Sequence, residues 1–293
     1  MYRGTFTALC TPFTADNRVD EAAFRKLIDF QFANGVTGIV PVGTTGESPT
    51  LSHDEHEHVI ALAAKFADGR GPVIAGTGSN STDEAIELTK AAEAAGCEAV
   101  LQVCPYYNKP SQEGLFQHFK AIADATKCKV MLYSIPGRSG IEIGIETTAR
   151  LAAACPNIVS MKEAGGSVER VNQLVSQCPE AFTTLSGDDS LTLAFMAVGA
   201  TGVVSVASNV IPRQMSDLVK AALQEDYRAA REMHRKYYPL FSAFLKLDTN
   251  PVPVKTALKL MGMSNGNLRL PMVPMAAAKE DELRTALGAV GVI

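Results

Sequence analysis

Eight short runs of β-branched and other apolar residues recur along this 293-residue chain, each followed by a longer segment of helical character. The runs are Thr5–Leu9, Gly38–Val42, Val73–Ala75, Ala99–Val103, Val130–Tyr133, Ile158–Met161, Thr183–Leu185 and Gly202–Val206. The helical segments are Glu21–Ala33, Asp54–Ala67, Thr82–Ala95, Gln112–Thr126, Ile145–Ala154, Val168–Ser176, Ser190–Val198 and Pro212–Leu223. Gly or Pro punctuates most joints. Such alternation argues for parallel strands joined by helical crossovers. Eight units within about 225 residues favour an α/β fold of the closed (β/α)8 TIM-barrel type over an open doubly wound sheet. An open sheet would also show a Gly-rich phosphate turn after its first strand, and the turn here is Cys10-Thr11-Pro12-Phe13. Residues 225–293 hold no further strand–helix pair. They are expected to form a C-terminal helical extension to the 1–224 barrel, with Pro251, Pro253 and Pro271 breaking its helices.

Charge and cysteine usage narrow the function classes. The net charge of −4 comes with no basic stripe, so nucleic acid is not an expected partner. No stretch reaches the roughly 18 apolar residues of a membrane helix. The segment Met1–Phe6 lacks the apolar region of a secretory leader. The six cysteines are scattered in apolar surroundings and never form CxxC, as buried free thiols in a reducing cytoplasm would be.

In a barrel, chemistry sits at the C-terminal ends of the strands and in the loops that follow. Those positions hold Gly43-Thr44-Thr45-Gly46-Glu47, Gly76-Thr77-Gly78, Pro105-Tyr106-Tyr107-Asn108, Tyr133 before Ser134-Ile135-Pro136-Gly137-Arg138, Lys162-Glu163, and Ser186-Gly187-Asp188-Asp189. Lys162 is the most informative. It follows the apolar run Ile158–Met161, so its stem enters the barrel. Burying an ammonium is expensive, and desolvation favours the neutral amine, which is the species that attacks a ketone. Position alone leaves two other readings open: a head group that reaches solvent, or one paired with Glu163. Tyr133 ends the adjacent strand, where a phenol can relay protons or simply fill the rim. Thr44 and Thr45, between two glycines, offer hydroxyls and backbone N–H groups to a carboxylate. Arg138 offers a bidentate fork. Lys255, in Asn250-Pro-Val-Pro-Val-Lys255, reads as structural. His53, His56 and His58 share one helix but lack a third ligand and any HExxH pattern, so no metal site is expected.

Taken together, Gly43–Glu47, Tyr133 with its Ile-Pro turn, Lys162-Glu163-Ala164, Ser186–Asp189, Gly202–Ser205 and Asn250–Lys255 resemble the pyruvate-dependent class I aldolase superfamily over essentially the whole chain. Within it, Gly137-Arg138-Ser139-Gly140 resembles the dihydrodipicolinate synthase branch. The alternative is another pyruvate-type aldolase such as N-acetylneuraminate lyase, whose branch usually carries apolar residues at that point. Ser134 stands where an Asn often follows the tyrosine. The resemblance implies a lyase that condenses pyruvate with L-aspartate 4-semialdehyde, the first committed step of diaminopimelate and lysine biosynthesis. It implies a covalent Schiff base on Lys162 and no cofactor. It implies proton relay by Tyr133, Thr45 and Tyr107, the last from a neighbouring subunit. Thr44, Thr45, Gly187 and Val204 would surround the pyruvate part, and Arg138 would hold the semialdehyde's carboxylate. The resemblance further implies a homotetramer built as a dimer of dimers. L-lysine would act as a feedback effector at Ser48, His53, His56, Asn80, Glu84 and Tyr106, with Pro49 where a small residue is common.

Overall fold

A computed structural model describes residues 2–293. Eight parallel strands alternate with helices in chain order: β1 (Gly4–Ala8), α1 (Glu21–Ala33), β2 (Gly38–Val40), α2 (His53–Ala67), β3 (Ile74–Gly76), α3 (Thr82–Ala94), β4 (Ala99–Val103), α4 (Gln112–Asp124), β5 (Lys129–Ser134), the single turn α5 (Pro136–Ser139), α6 (Ile145–Ala154), β6 (Ile158–Glu163), α7 (Val168–Gln177), β7 (Thr183–Ser186), α8 (Thr192–Ala197), β8 (Gly202–Ser205) and α9 (Pro212–Leu223). The hydrogen-bonded order runs β2-β1-β8-β7-β6-β5-β4-β3. A parallel bridge from Ile39 to Val73 joins the two ends, so the sheet closes. This is the (β/α)8 barrel that the alternation predicts.

Period-two alternation divides two packed layers. Phe6, Val40, Ala99, Leu101, Met131, Tyr133, Leu185 and Val204 fill the barrel interior. Ile39, Val100, Val130, Leu132, Met161 and Val203 face outward and pack with the helices. Phe24, Phe119, Phe195 and Phe241 are among the largest fully enclosed side chains of that outer layer. Each contributes about 1.5–3 kcal/mol by leaving water. Local signals start the helices as the sequence suggests. Ser52 and Glu55 form both bonds of a capping box at α2.

Three expectations shift. β6 does not end with the apolar run at Met161 or at Lys162 but continues to Glu163, so the lysine lies within the strand. Arg138 stands on a helical turn, α5, rather than in an open loop. After α9 the chain adds α10 (Tyr227–Lys246), α11 (Val252–Leu260) and α12 (Ala277–Ala289). Pro253 does not break a helix there. It lies in the first turn of α11, where the N–H that proline lacks has no partner in any case. Pro239 stands inside α10 on an exposed position, so the carbonyl it leaves unpaired lies on the solvent side.

Candidate active site

Strand parity decides the orientation of Lys162. Tyr133 and Lys162 are register partners on β5 and β6, and Tyr133 belongs to the interior layer. Lys162 therefore also points inward, and Glu163 points out toward α7. There Glu163 accepts from Arg170 Nε at 2.8 Å and from Gly165 N–H at 2.6 Å. The sequence had left open a Lys162–Glu163 pair, and the pleat forbids it. Lys162 is only 6% exposed. Burial pulls its amine down to about 7 from the ordinary 10.5; Asp189 opposes that shift and the Arg138 charge adds to it. A large share of the amine is thus neutral near pH 7. Its Nζ lies 4.1 Å from the centre of the Tyr133 ring. Burial pushes the Tyr133 phenol up to about 12, against the pull of Arg138 and of a hydrogen bond from Thr44. The phenol stays protonated and has a hydroxyl neighbour through which a proton can pass.

Gly187, in the loop after β7, closes the site beneath the lysine. A Cβ at this position would lie 2.7 Å from Ala164 Cβ and 3.0 Å from Lys162 Cε, so a side chain there would collide with Ala164 and press on the lysine stem. Val204, on β8, is fully enclosed in the same interior layer. Asp189 is also enclosed. It accepts from Ser205 Oγ at 2.5 Å, Ala207 N–H at 2.8 Å and Val206 N–H at 3.1 Å. Burial raises its carboxyl to about 6 despite these donors.

The turn carrying Thr44 and Thr45 is bracketed by Val42 and Glu47, both left-handed, with φ of 55° and 56°. A β-branched residue in that region stores roughly 1–3 kcal/mol of strain, which the surroundings must offset. The surroundings do hold Glu47. Its carboxylate accepts from Lys255 Nζ, buried on α11, and from the Arg269 backbone N–H at 3.1 Å. Lys255 and Arg269 also lie against the Phe13 ring, 4.1 and 4.3 Å from its centre. Lys255 is structural, as its sequence context suggested, and its structural task is to pin the threonine turn. Removing one partner of so buried a pair costs about 3–5 kcal/mol.

The segment before α11 reaches the site a second time. Asn250 Nδ2 donates to Thr45 Oγ1 at 3.0 Å, and the Asn250 carbonyl accepts from Arg138 Nη2 at 3.1 Å. Neither Asn250 nor Asp189 stood out as an individual residue in the sequence: Asn250 acts on Thr45 and Arg138, far away in the chain, and Asp189 on the end of the next strand and the turn after it. Both lay within motifs that carried the resemblance, Asn250-Pro-Val-Pro and Ser186–Asp189, which is the one signal that could have found them.

A cavity of about 460 Å³ is lined by Thr44, Tyr133 and Arg138 together with Ser48, His53, His56, Glu84 and Tyr106, whereas Lys162, Thr45, Gly187 and Val204 do not line it. Asn80 does not line it; its Nδ2 donates to the Tyr106 carbonyl at 3.1 Å. Tyr107 does not line it either. Its side chain is 90% exposed on a backbone with φ of 73°. The three α2 histidines diverge: His53 Nε2 meets Glu84 at 2.7 Å, His56 Nε2 donates to the Gly76 carbonyl at 2.7 Å, and His58 Nε2 meets Glu21 at 2.9 Å. Glu84 also accepts from Ser79, the first cause of its lowered pKa. Of the six cysteines, all free, only Cys178 is not fully buried. Among the described residues no helix is long and apolar enough to cross a membrane.

Comparison with known proteins adds three kinds of likeness. The model of the Dihydrodipicolinate synthetase family matches residues 1–290. A Sulfurihydrogenibium protein named 4-hydroxy-tetrahydrodipicolinate synthase is 49% identical over 288 residues, 98% of each chain. The chloride-inhibited dihydrodipicolinate synthase of Acinetobacter baumannii, solved with pyruvate, is 43% identical with a TM-score of 0.97 over 100% of both chains. The enzyme of Cyanidioschyzon merolae, solved with lysine bound, is 40% identical with a TM-score of 0.97 over 100% of this chain and 99% of that one.

Proposed function

The chain belongs to the dihydrodipicolinate synthetase family, and from that premise we propose how its own residues carry out the family reaction. That reaction is the lyase-class condensation of pyruvate with L-aspartate 4-semialdehyde to 4-hydroxy-tetrahydrodipicolinate, on the route to diaminopimelate and lysine. The observation that carries the assignment of roles is the inward-facing Lys162, its amine held near neutrality beside the Tyr133 phenol.

Neutral Nζ adds to C2 of pyruvate and forms a C–N bond, while the carbonyl oxygen takes a proton through Tyr133. A second proton lets that oxygen leave as water and gives a cationic imine on Lys162. The positive charge acidifies the adjacent methyl, and loss of one methyl proton yields the neutral enamine. The enamine carbon attacks the aldehyde carbon of the semialdehyde, whose carboxylate lies on Arg138. The substrate's amine then displaces Lys162 and closes the ring. Splitting the condensation through a covalent intermediate lowers each barrier. No cofactor takes part. Thr44 and Thr45 hold the pyruvate carboxylate, with Gly187 and Val204 walling the methyl side. Thr45 shares the proton relay.

Tyr107 completes the relay from a second copy of the chain. Support lies in its exposed ring beside exposed Tyr106. Exposed apolar side chains on two further regions, Leu270 with Val273 and Val168 with Val175, fit a dimer of dimers. L-lysine, the pathway's end product, binds where Ser48, His53, His56, Glu84 and Tyr106 face the shared cavity, with Asn80 behind Tyr106. Glu84 takes an amine of the effector. Six free thiols fit a reducing cytoplasm.

The test is turnover of both substrates coupled to a downstream NAD(P)H-dependent reductase, with borohydride trapping of pyruvate on the protein. Turnover and trapping that both vanish in Lys162→Ala are expected. Retention of either would refute the nucleophile.

A further inference from the structure

Lys162 stands within β6 and Arg138 on α5, two separate pieces of chain. L-aspartate 4-semialdehyde carries a carboxylate at one end and an aldehyde at the other. A fork that grips the carboxylate therefore also fixes how near the aldehyde carbon comes to the enamine, and the spacing of α5 from β6 becomes part of the reaction's geometry. One buried side chain spans it. Arg170, on α7 and only 7% exposed, donates from Nε to Glu163 Oε2 at 2.8 Å and from Nη2 to the Ile143 carbonyl at 2.6 Å, while its Nη1 lies 3.4 Å from Glu142 Oε2. Glu163 directly follows Lys162, and Glu142 and Ile143 lie in the short segment that leads from α5 to α6. Ser139 Oγ donates to the Ile141 carbonyl at 2.7 Å, which ties the end of α5 to that segment. Gly165 marks the seam between the two pieces. A Cβ there would lie 2.6 Å from Glu163 Oε1, 3.1 Å from Glu142 Oε1 and 3.6 Å from Cδ of Pro136, the first residue of α5.

We propose that Arg170 is a positioning residue that holds the Arg138 turn at a fixed place relative to Lys162 and so sets the approach of L-aspartate 4-semialdehyde to the enamine. The proposal rests on the reading of Arg138 given above. Arg170 lies outside the barrel and acts through Glu163 and Ile143. The tip of Arg138 has a separate hold, the Asn250 carbonyl, so Arg170 acts on the turn that carries Arg138 and not on its guanidinium. Lys162 depends on Arg170 less. Its strand is fixed by the ladders to β5 and β7 and by the Gly187 N–H, which donates to the Glu163 carbonyl at 2.7 Å. Imine formation with pyruvate should therefore survive a change that the second substrate feels. Charge alone does not supply the link. A planar guanidinium reaches two acceptors from two nitrogens at fixed separation, whereas an ammonium is one nitrogen on a flexible stem. Such a group can pair with Glu163 without holding the Ile143 carbonyl.

Arg170→Lys tests this, because it keeps the positive charge and removes the fork. The readouts are kcat/KM for L-aspartate 4-semialdehyde, kcat/KM for pyruvate, and borohydride trapping of pyruvate. The expected result is a kcat/KM for the semialdehyde lowered about tenfold or more, the scale of a displacement of part of an ångström between reacting groups. The pyruvate constant should hold within about twofold, and trapping should persist. An unchanged semialdehyde constant overturns the proposal. Equal weakening of both substrates, or loss of trapping, also overturns it and marks Arg170 as a brace of the fold alone. If Arg170→Lys does not fold, Arg170→Met with Glu163→Gln takes its place, since that pair leaves no buried charge unpaired, and the same outcomes decide. Arg138→Ala is run beside it. If that change leaves the semialdehyde constant as it was, the carboxylate reading fails and the proposal with it. If it lowers that constant while Arg170→Lys does not, the proposal alone fails.

Discussion

Lys162→Met removes the proposed nucleophile and is also expected to stabilise the fold, by an amount that depends on pH. The lysine titrates near 7 in the folded chain because the barrel interior disfavours its ammonium, against an ordinary value of 10.5. Below pH 7 the amine is protonated in both states, and folding carries the whole penalty of burying the charge. Between 7 and 10.5 the unfolded chain binds a proton that the folded chain mostly lacks, so the penalty shrinks as pH rises. Above 10.5 neither state is charged and nothing remains. At about 1.4 kcal/mol per tenfold difference in proton affinity, the penalty is about 5 kcal/mol in acid, about 4 at pH 7 and about 2 at pH 9. Met has nearly the same length and no charge. The variant should therefore exceed the parent in stability, with an advantage that falls by about 2 kcal/mol from pH 7 to pH 9. Urea unfolding of both proteins, followed by circular dichroism at several pH values, measures this. An advantage that stays constant with pH would mean that Lys162 titrates like an exposed lysine, and the neutral-amine argument would be wrong.

Tyr133→Phe should lower kcat about 10²- to 10⁴-fold, the range for one lost proton-transfer group. Borohydride trapping will show whether Lys162 still reacts with pyruvate, and an unimpaired kcat would remove the phenol from the relay. Lys255→Met alone should cost about 3–5 kcal/mol because it strands Glu47 in the interior, while Glu47→Gln with Lys255→Met should recover much of that. Additive losses in urea unfolding would show that the two side chains are not coupled. Glu84→Ala should abolish inhibition by millimolar L-lysine with uninhibited turnover intact. A variant that remains as sensitive as the parent would move the effector elsewhere.

The sequence by itself determined the architecture. Eight alternating units leave a parallel sheet little choice but closure, and the composition at the strand ends gathered hydroxyls, glycines, one lysine and one arginine on one face. It also determined which residues were candidates, because Lys162 and Tyr133 stand at the ends of adjacent runs. What it left undecided were matters of side and partner. Whether Lys162 pairs with Glu163 depends on the pleat, and only the β5–β6 register with Tyr133 turned the two residues to opposite faces. That the three histidines of α2 take three unrelated partners followed from α1, β3 and α3 packing around them. The brace of the threonine turn joins Glu47 to Lys255, 208 positions apart, and Asn250 reaches Thr45 across 205. No periodicity encodes contacts that distant. They exist because the helices after the barrel fold back over its catalytic end, and only the folded chain brings those groups within hydrogen-bonding reach.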